Sequence, residues 1–130
     1  MKIINISTTQ RVDVIDITSH IQEVISELGH KNGIVTVFVP HTTCGITINE
    51  GTDPDVARDI KYQLGELIPR EQGYHHAEGN SDSHIKTCFV GSSENIIIEN
   101  GKMMLGAWQS VFLCDFDGPR NRKIYIKTTS

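Results

Sequence analysis

Three of the six histidines of the chain lie in one short segment, residues 73–87, whose sequence is GYHHAEGNSDSHIKT. A loop that only needs to be soluble gains little from imidazole, so the cluster suggests that some of these rings bind a ligand. His76 and His84 lie on either side of this loop, and His41 could supply a third imidazole. Three nitrogen ligands and a water form the open coordination typical of catalytic zinc. The alternative, that these histidines form hydrogen bonds or face solvent, stays open because no fixed metal-binding motif is present.

Two arginines near the end of the chain are candidates for binding phosphate. Arg120 and Arg122 follow a turn sequence, Asp-Gly-Pro, and are separated by one residue. Arginine binds phosphate through two parallel, charge-assisted hydrogen bonds, and alternate residues of a strand share a face. The alternative is a structural role, in which both arginines pair with acids such as Asp115 or Asp117.

The only tryptophan, Trp108, precedes Gln109 in the sequence LGAWQS. A large aromatic residue of this kind is expected in a core or an interface. A flat ring beside an amide would also suit an aromatic ligand.

A polar strand face is expected to position several of these side chains. Residues 41–49, HTTCGITIN, alternate with a period of two, which places Cys44, Ile46 and Ile48 toward a core. The opposite face carries small polar groups around a histidine, so it is a candidate pocket wall. Its residues are His41, Thr43, Gly45, Thr47 and Asn49.

The rest of the sequence predicts two helices in the first half of the chain and about seven or eight strands. SHIQEVISELG has a helical apolar stripe, a Ser19–Gln22 capping box and Gly29 as its C-cap. In the second helix, which ends at Pro69, Asp53 is the N-cap and Pro54 occupies the first helical position. Its apolar stripe is formed by Val56, Ile60, Leu64 and Leu67.

The predicted strands define the fold class. KIINIST and RVDVIDI are expected to form a hairpin through TTQR, and GIVTVFVP is apolar on both faces, as in a buried strand. The last four are HIKTCFVG, ENIIIENG, LGAWQSVFLCDF and RKIYIKT. We therefore predict one α+β domain, residues 1–130, with mainly antiparallel sheet.

Composition restricts the function and the compartment. The net charge of -4 and the pI of about 5.8 argue against a nucleic-acid partner. No apolar run approaches the roughly 20 residues of a membrane span, and no signal peptide is recognisable, so we expect a cytoplasmic protein without a membrane partner. Cys44, Cys88 and Cys114 lie far apart next to apolar residues, which favours a role as small core residues.

Four motifs, in order, resemble those of the YjbQ-like family, also called the secondary thiamine-phosphate synthase family. They are HTTCGITINEGTDPDV, YHHAEGNSDSHIK, LGAWQ and DGPRNRK, and the resemblance covers essentially the whole chain. One departure is Ala107, where many members have threonine before the Trp-Gln pair, and it does not alter the assignment.

This resemblance implies an α+β fold that assembles into a homotrimer, with pockets near the subunit boundaries. It also implies that histidines matching His41, His76 and His84 converge on a divalent metal, either zinc or magnesium, with His75 pointing elsewhere. The activity associated with the family is secondary formation of thiamine phosphate from hydroxymethylpyrimidine pyrophosphate and thiazole phosphate.

Three functional hypotheses follow. In the first, a transferase joins these two substrates: Arg120, Arg122 and the metal stabilise phosphate groups, while Thr43, Asn49 and Gln109 contact the substrate. Glu50 would act as a general acid or base, or would orient a metal-binding side chain through a hydrogen bond. In the second, the metal activates water to hydrolyse a small phosphorylated metabolite. In the third, a non-catalytic trimer binds such a metabolite.

Overall fold

Eight strands and three helices make up the protein in the computed structural model, which describes residues 1–130. The helices are α1 (Thr18–Leu28), α2 (Pro54–Leu67) and α3 (Ser81–Val90). The strands are β1 (Lys2–Ser7), β2 (Asp13–Asp16), β3 (Gly33–Phe38), β4 (Cys44–Glu50), β5 (Ser93–Glu99), β6 (Lys102–Met103), β7 (Gln109–Asp115) and β8 (Asn121–Thr129).

The strands form two sheets in which every pairing is antiparallel. The five-stranded sheet has the order β1-β8-β3-β5-β6, and the three-stranded sheet has the order β2-β7-β4. The prediction of an α+β fold with mainly antiparallel sheet is therefore confirmed.

One core joins both sheets and α1. Ile21 and Ile25 of α1 pack with Val37 of the five-stranded sheet and with Ile46 and Leu113 of the three-stranded sheet, and all five are fully buried. Burying each such side chain stabilises the fold by about 1.5–3 kcal/mol. The predicted apolar face of residues 44–48, which consists of Cys44, Ile46 and Ile48, therefore packs against this core.

The predicted hairpin between the first two strands is wrong. β1 pairs with β8 in the larger sheet, whereas β2 pairs with β7 in the smaller one. Thr8, just after β1, explains the separation: its hydroxyl donates to Asp115 at 2.7 Å and accepts from the backbone N–H of Arg120 at 2.9 Å. The chain is thus held at the turn between β7 and β8 and crosses to the other sheet.

The predicted N-terminus of α1 is also wrong in its details. Ile17 occupies the N-cap position and cannot cap the helix with its side chain, and the carboxylate of Asp16 accepts from the N–H of Thr18 at 3.0 Å. The side chain of Gln22 instead donates to the carbonyl of Gly101 at 2.8 Å and accepts from the N–H of Met103 at 3.2 Å. Gly29 is the C-cap as predicted, with a φ of 75° that favours glycine.

The second helix forms as predicted, but it buries little. The Asp53 side chain accepts from the N–H of Asp55 at 2.9 Å, and Pro54 is the first helical residue. No residue of α2 is fully buried, and Leu67, in its predicted apolar stripe, is 68% exposed. None of the three helices is long and apolar enough to cross a membrane.

The segment HIKTCFVG, predicted as a strand, is helical and belongs to α3. Its content of isoleucine, threonine, phenylalanine and valine favours a strand. The buried residues of α3 are the polar Asp82, Ser83 and Lys86. The helix therefore lacks the apolar stripe from which a helix is normally predicted. Phe89 and Cys88 are exposed on its other side.

Two further expectations about burial need correction. β3 buries only Val35 and Val37, because the alternate residues Ile34 and Phe38 point to the outer face of the sheet and remain partly exposed. Among the cysteines, Cys44 and Cys114 are buried, and burial raises the pKa of each thiol to about 12. Cys88 is exposed, so the prediction of a core role holds for two of the three.

Candidate functional site

His76 and His84 form a pair at the edge of an open groove. Their ring centroids lie 5.5 Å apart with an interplanar angle of 80°. His84 lies in the first turn of α3, and His76 lies in the loop before it. Both rings line a groove of about 570 Å³, together with Tyr74, His75 and Ile85. His75 therefore borders the same groove.

Hydrogen bonds to the backbone hold the loop that carries His76. The hydroxyl of Tyr74 donates to the carbonyl of Pro69 at 2.6 Å, and Nε of Arg70 donates to the carbonyl of Gly79 at 3.3 Å. Gly73 and Gly79 have φ values of 69° and 78°, so the loop turns at both glycines of the motif. These contacts fix the segment between α2 and α3.

A buried charge cluster fixes α3 and therefore His84. The carboxylate of Asp82 accepts from Nη2 of Arg11 at 3.0 Å and from Nζ of Lys86 at 2.9 Å. Burial alone raises the pKa of Asp82, but the hydrogen bonds from Arg11 and Lys86 outweigh it and hold that pKa below its ordinary value. The hydroxyl of Ser83 also donates to the carbonyl of Phe116.

His41 lies apart from this pair. Its Nε2 accepts from the backbone N–H of Lys123 at 3.0 Å, and its Nδ1 then carries the proton of the neutral ring. Burial and, next, the charge of Arg122 lower the pKa of His41, which favours that neutral form. Across residues 1–130, no three His, Cys, Asp or Glu side chains are grouped to hold a metal ion. The three histidines therefore do not converge within one chain.

The predicted pocket wall on β4 is only partly open. His41 and Thr43 precede the strand, which begins at Cys44. Gly45 lies under the end of α3: a Cβ there would stand 2.8 Å from the carbonyl oxygen of Gly91 and from Val90. Glycine is therefore required for packing at this position, and the open part of the polar face is its end, near Asn49.

Arg122 is buried in an ion pair. Its guanidinium donates two hydrogen bonds to Asp115, at 2.7 and 3.1 Å, and a third to the hydroxyl of Thr43 at 2.8 Å. Only 4% of Arg122 is exposed. Burial opposes ionisation of Asp115, but the bonds from Arg122, from the N–H of Asp117 and from Thr8 hold its pKa below the ordinary value.

Arg120 has a different environment from Arg122. It lies in the turn before β8, and its exposed guanidinium donates to Asp117 at 3.1 Å and to the carbonyl of that residue at 2.8 Å. Both arginines thus form the structural pairs that the sequence offered as the alternative to phosphate binding. Of the two, only Arg120 is accessible to a ligand.

Asn49, Glu50, Gln109 and Trp108 come together at the end of the smaller sheet. Glu50 of β4 and Gln109 of β7 are direct cross-strand partners. These four residues and Ile48 line a pocket of about 280 Å³. Trp108 is 70% exposed, which excludes the core position and leaves the interface and the aromatic-ligand contact as predictions.

Glu50 also borders a second groove, of about 380 Å³. Its charged lining comprises Asp13, Asp16, Glu50, Asp53, Arg58 and Lys61. The carboxylates there outnumber the basic groups by four to two, so the neighbourhood of Glu50 is acidic.

The candidate residues therefore fall into three groups: the His76–His84 pair, the Asn49–Glu50–Gln109 end of the sheet, and the buried Arg122 network beside His41. Asp82 was not predicted as a functional residue. Its spacing of four from Lys86 is a helical ion-pair signal, but the strand-like composition of residues 84–90 concealed the helix.

Comparison with known proteins identifies similar chains. A family model described as UPF0047 protein YjbQ-like matches residues 2–130. A UPF0047 protein of Methanocaldococcus jannaschii is 52% identical over 122 residues, which cover 94% of this chain and 88% of that protein. The UPF0047 protein YugU of Bacillus subtilis is 44% identical, with coverage of 98% and 97%.

Solved structures agree with the fold. A YjbQ/UPF0047-family protein of Clostridium acetobutylicum superposes with a TM-score of 0.97 at 46% identity, covering 99% of this chain and 100% of that one. A YbjQ-like protein of unknown function from Sulfolobus solfataricus superposes with a TM-score of 0.93 at 30% identity, with coverage of 98% and 94%.

Proposed function

The chain belongs to the YjbQ-like UPF0047 family, and on that premise we propose that it is a metal-dependent transferase working as a homotrimer. Its reaction would join a pyrimidine pyrophosphate to a thiazole phosphate. The observation that carries the proposal is the His76–His84 pair, whose ring centroids are 5.5 Å apart.

This pair fits two ligands of one metal ion. Two imidazoles bound at about 2.1 Å to a tetrahedral zinc ion have ring centroids roughly 5 Å apart. Imidazole nitrogen suits zinc better than magnesium, which prefers oxygen ligands, so zinc is the ion of choice for this pair. A divalent ion there would act as a Lewis acid toward the departing pyrophosphate.

The third imidazole would come from another subunit. His41 cannot join the pair within one chain. To bind a metal as a neutral imidazole through Nδ1, its proton would have to move to Nε2, which would give up the hydrogen bond from the N–H of Lys123. Exposed apolar side chains such as Ile34 and Ile97, which lie on β3 and β5, support contact between copies of the chain.

The chain's own groups would handle the charges of the reaction. The C–O bond to pyrophosphate breaks, positive charge develops on the benzylic-type carbon, and the thiazole nitrogen forms the new C–N bond. Arg120 is placed to exchange Asp117 for a substrate phosphate, because its guanidinium is exposed. Arg122 would act as a positioning residue, since removing it from Asp115 would leave a buried carboxylate unpaired.

The end of the smaller sheet would bind the uncharged part of the substrate. Asn49 and Gln109 offer amide donors, and Glu50 offers a carboxylate at the same pocket. Thr43 is buried against Arg122 and would contribute through that arginine rather than by contact.

Two measurements test the proposal. Metal analysis of protein purified without chelator or histidine tag should find about one zinc per chain, and His76→Ala and His84→Ala should each lose it. Product analysis with both substrates should find coupled product and pyrophosphate. Full metal in both variants would refute the site. Release of phosphate without coupling would indicate a hydrolase, and ligand protection without turnover would indicate a binding protein.

A further inference from the structure

We propose that a groove between the end of α1 and the turn from β5 to β6 binds a small hydrophilic anion that carries at least two negative charges. Phosphate esters and polycarboxylates are metabolites of this kind. The groove, which we call the basic groove, has a volume of about 570 Å³. It shares no lining residue with the groove of the His76–His84 pair or with either pocket at Glu50, so the inference does not depend on the proposed function.

The charge of the basic groove is positive throughout. All the ionisable side chains that line it are basic, namely His30, Lys31 and Lys102, although the chain as a whole has a net charge of -4. Charges of one sign around a concave surface concentrate the potential there and attract counter-ions. The basic groove therefore favours an anion and disfavours a metal ion or an amine.

Neither lysine of the basic groove has a partner within the chain. Six ion pairs hold other cationic side chains, and neither Lys31 nor Lys102 takes part in any of them. Glu99 is the cross-strand partner of Lys102, yet the two form no ion pair. Both ammonium groups are therefore free to bind a ligand.

Lys31 lies over the turn that leads directly to Lys102. Its Cδ and Nζ stand 3.8 and 3.9 Å from the point that a Cβ of Gly101 would occupy. Its carbonyl also accepts from the N–H of Gly101 at 2.8 Å, which fixes the backbone of both residues. Like charges placed near each other repel, and an anion bound between them would remove that repulsion.

Hydrogen bonds order the walls of the basic groove before any ligand binds. Gln22 of α1 donates to the carbonyl of Gly101 and accepts from the N–H of Met103, so it connects α1 with both sides of the turn. Nδ1 of His30 bonds to the hydroxyl of Thr128, which leaves Nε2 of the ring without a partner inside the chain. A ligand therefore has little conformational entropy to remove from these walls.

The size and polarity of the basic groove indicate a small, hydrophilic ligand. Ile25 is the only apolar side chain in its lining, whereas Ser26 and Asn100 offer polar groups. An aromatic or aliphatic ligand would have little apolar surface to cover. The volume of about 570 Å³ lies within the range of small-molecule sites, about 300–1,000 Å³, so a metabolite fits and a macromolecule does not.

The lysines have one alternative role, which is to stabilise the C-terminus of α1. Cations there interact favourably with the helix dipole, but the effect is confined to the last turn. The helix ends at Leu28, whereas Lys102 belongs to β6. The helix-end role therefore explains Lys102 poorly, and it predicts an effect on stability without any effect on anion binding.

NMR titration of the isotope-labelled protein tests the proposal. Glucose 6-phosphate and citrate, each in phosphate-free buffer, represent the two classes of anion. At least one of them should shift the backbone N–H signals of Asn100, Gly101 and Lys102 and reach saturation, and the one that saturates at the lower concentration identifies the class. Uncharged glucose should shift none of them. The absence of a saturable shift with either anion would overturn the proposal, and so would equal shifts with sodium chloride at the same ionic strength.

Variants assign the contacts. Lys31→Gln and Lys102→Gln should each weaken binding of the saturating anion by roughly tenfold, because each loses a charged hydrogen bond. Lys127→Gln, which changes a lysine of β8 outside the basic groove, should bind like the parent. Arg120→Gln should also bind like the parent, which separates the basic groove from the phosphate contact proposed for Arg120. Parent-like affinity in both Lys31→Gln and Lys102→Gln would overturn the site, and a lower melting temperature beside that affinity would assign the lysines to the end of α1.

Discussion

Asp115 is a buried carboxylate that connects three segments of the chain. It accepts from Arg122 in β8, from Thr8 after β1, and from the backbone N–H of Asp117 in the following turn. Asp115→Asn should reduce the free energy of unfolding by about 3–5 kcal/mol, because Arg122 would keep its buried charge without a counter-ion. Urea denaturation at neutral pH measures this loss. Arg120→Ala, which removes an exposed pair, should cost only about 0–1 kcal/mol.

The same substitution should change the acid sensitivity of the fold. Because the folded pKa of Asp115 lies below its ordinary value of 3.8, the unfolded chain binds more protons in acid than the folded chain does. The stability from this group is therefore complete above that ordinary value and is lost as the pH falls through the folded pKa. Asp115→Asn should show a shallower loss below about pH 5. Parallel profiles for parent and variant would contradict this assignment.

At the scale of single residues, the sequence predicted the ion-pair partners of the two arginines, but it did not predict which arginine is buried. The possibility that the arginines pair with Asp115 and Asp117 followed from residue types, and both pairs are present. Which arginine is buried depends on the residue at which β8 begins, and one residue of difference exchanges the exposed and buried faces of a strand. That boundary is set by pairing with β1 and β3, which lie far away in the sequence.

At the scale of elements, α3 depends on a polar contact that the sequence pattern did not predict. Asp82→Asn should loosen this helix, because Arg11 and Lys86 would lose the carboxylate that neutralises both. Hydrogen exchange should accelerate over residues 81–90 and far less in β7. Cys88→Ser, on the exposed side of the same helix, should leave exchange unchanged. Equal acceleration across both sheets would mean that α3 does not open as a local unit.

Elements with an apolar period were predicted well, and α3 was not. α1 and α2 carry helical stripes, and their positions agree with the structure to within a few residues. In α3 the buried side is ionic, so hydrophobic periodicity carries no information about it. This error affects the candidate site, because His84 lies in a helix rather than at the start of the predicted strand HIKTCFVG.

At the scale of the whole molecule, one face of the larger sheet lacks a cover. Ile34 and Ile97 are cross-strand partners on this outer face, and Phe38 pairs with Tyr125 beside them with ring centroids 6.2 Å apart. Both isoleucines are substantially exposed. The hydrogen-bonded pair Thr36 and Asn95 lies between these two apolar pairs on the same face. Exposed apolar side chains rimmed by polar ones are typical of a contact between subunits. This inference needed the strand register, since the sequence of β3 predicted burial on both faces.

We therefore expect this outer face to hold the subunits together and the metal site to depend on that assembly. Light scattering of the parent should give three times the chain mass of 14.5 kDa. Ile34→Glu places a charge in the contact and should give monomers, whereas Tyr62→Glu, on the exposed side of α2, should remain trimeric. If His41 of a neighbouring subunit completes the coordination of His76 and His84, the Ile34→Glu monomer should also lose its zinc, although all three histidines are intact. Circular dichroism controls for folding of that variant. A folded monomer with full zinc content would show that the site is complete within one chain, and a trimeric Ile34→Glu protein would exclude the outer sheet face as the contact.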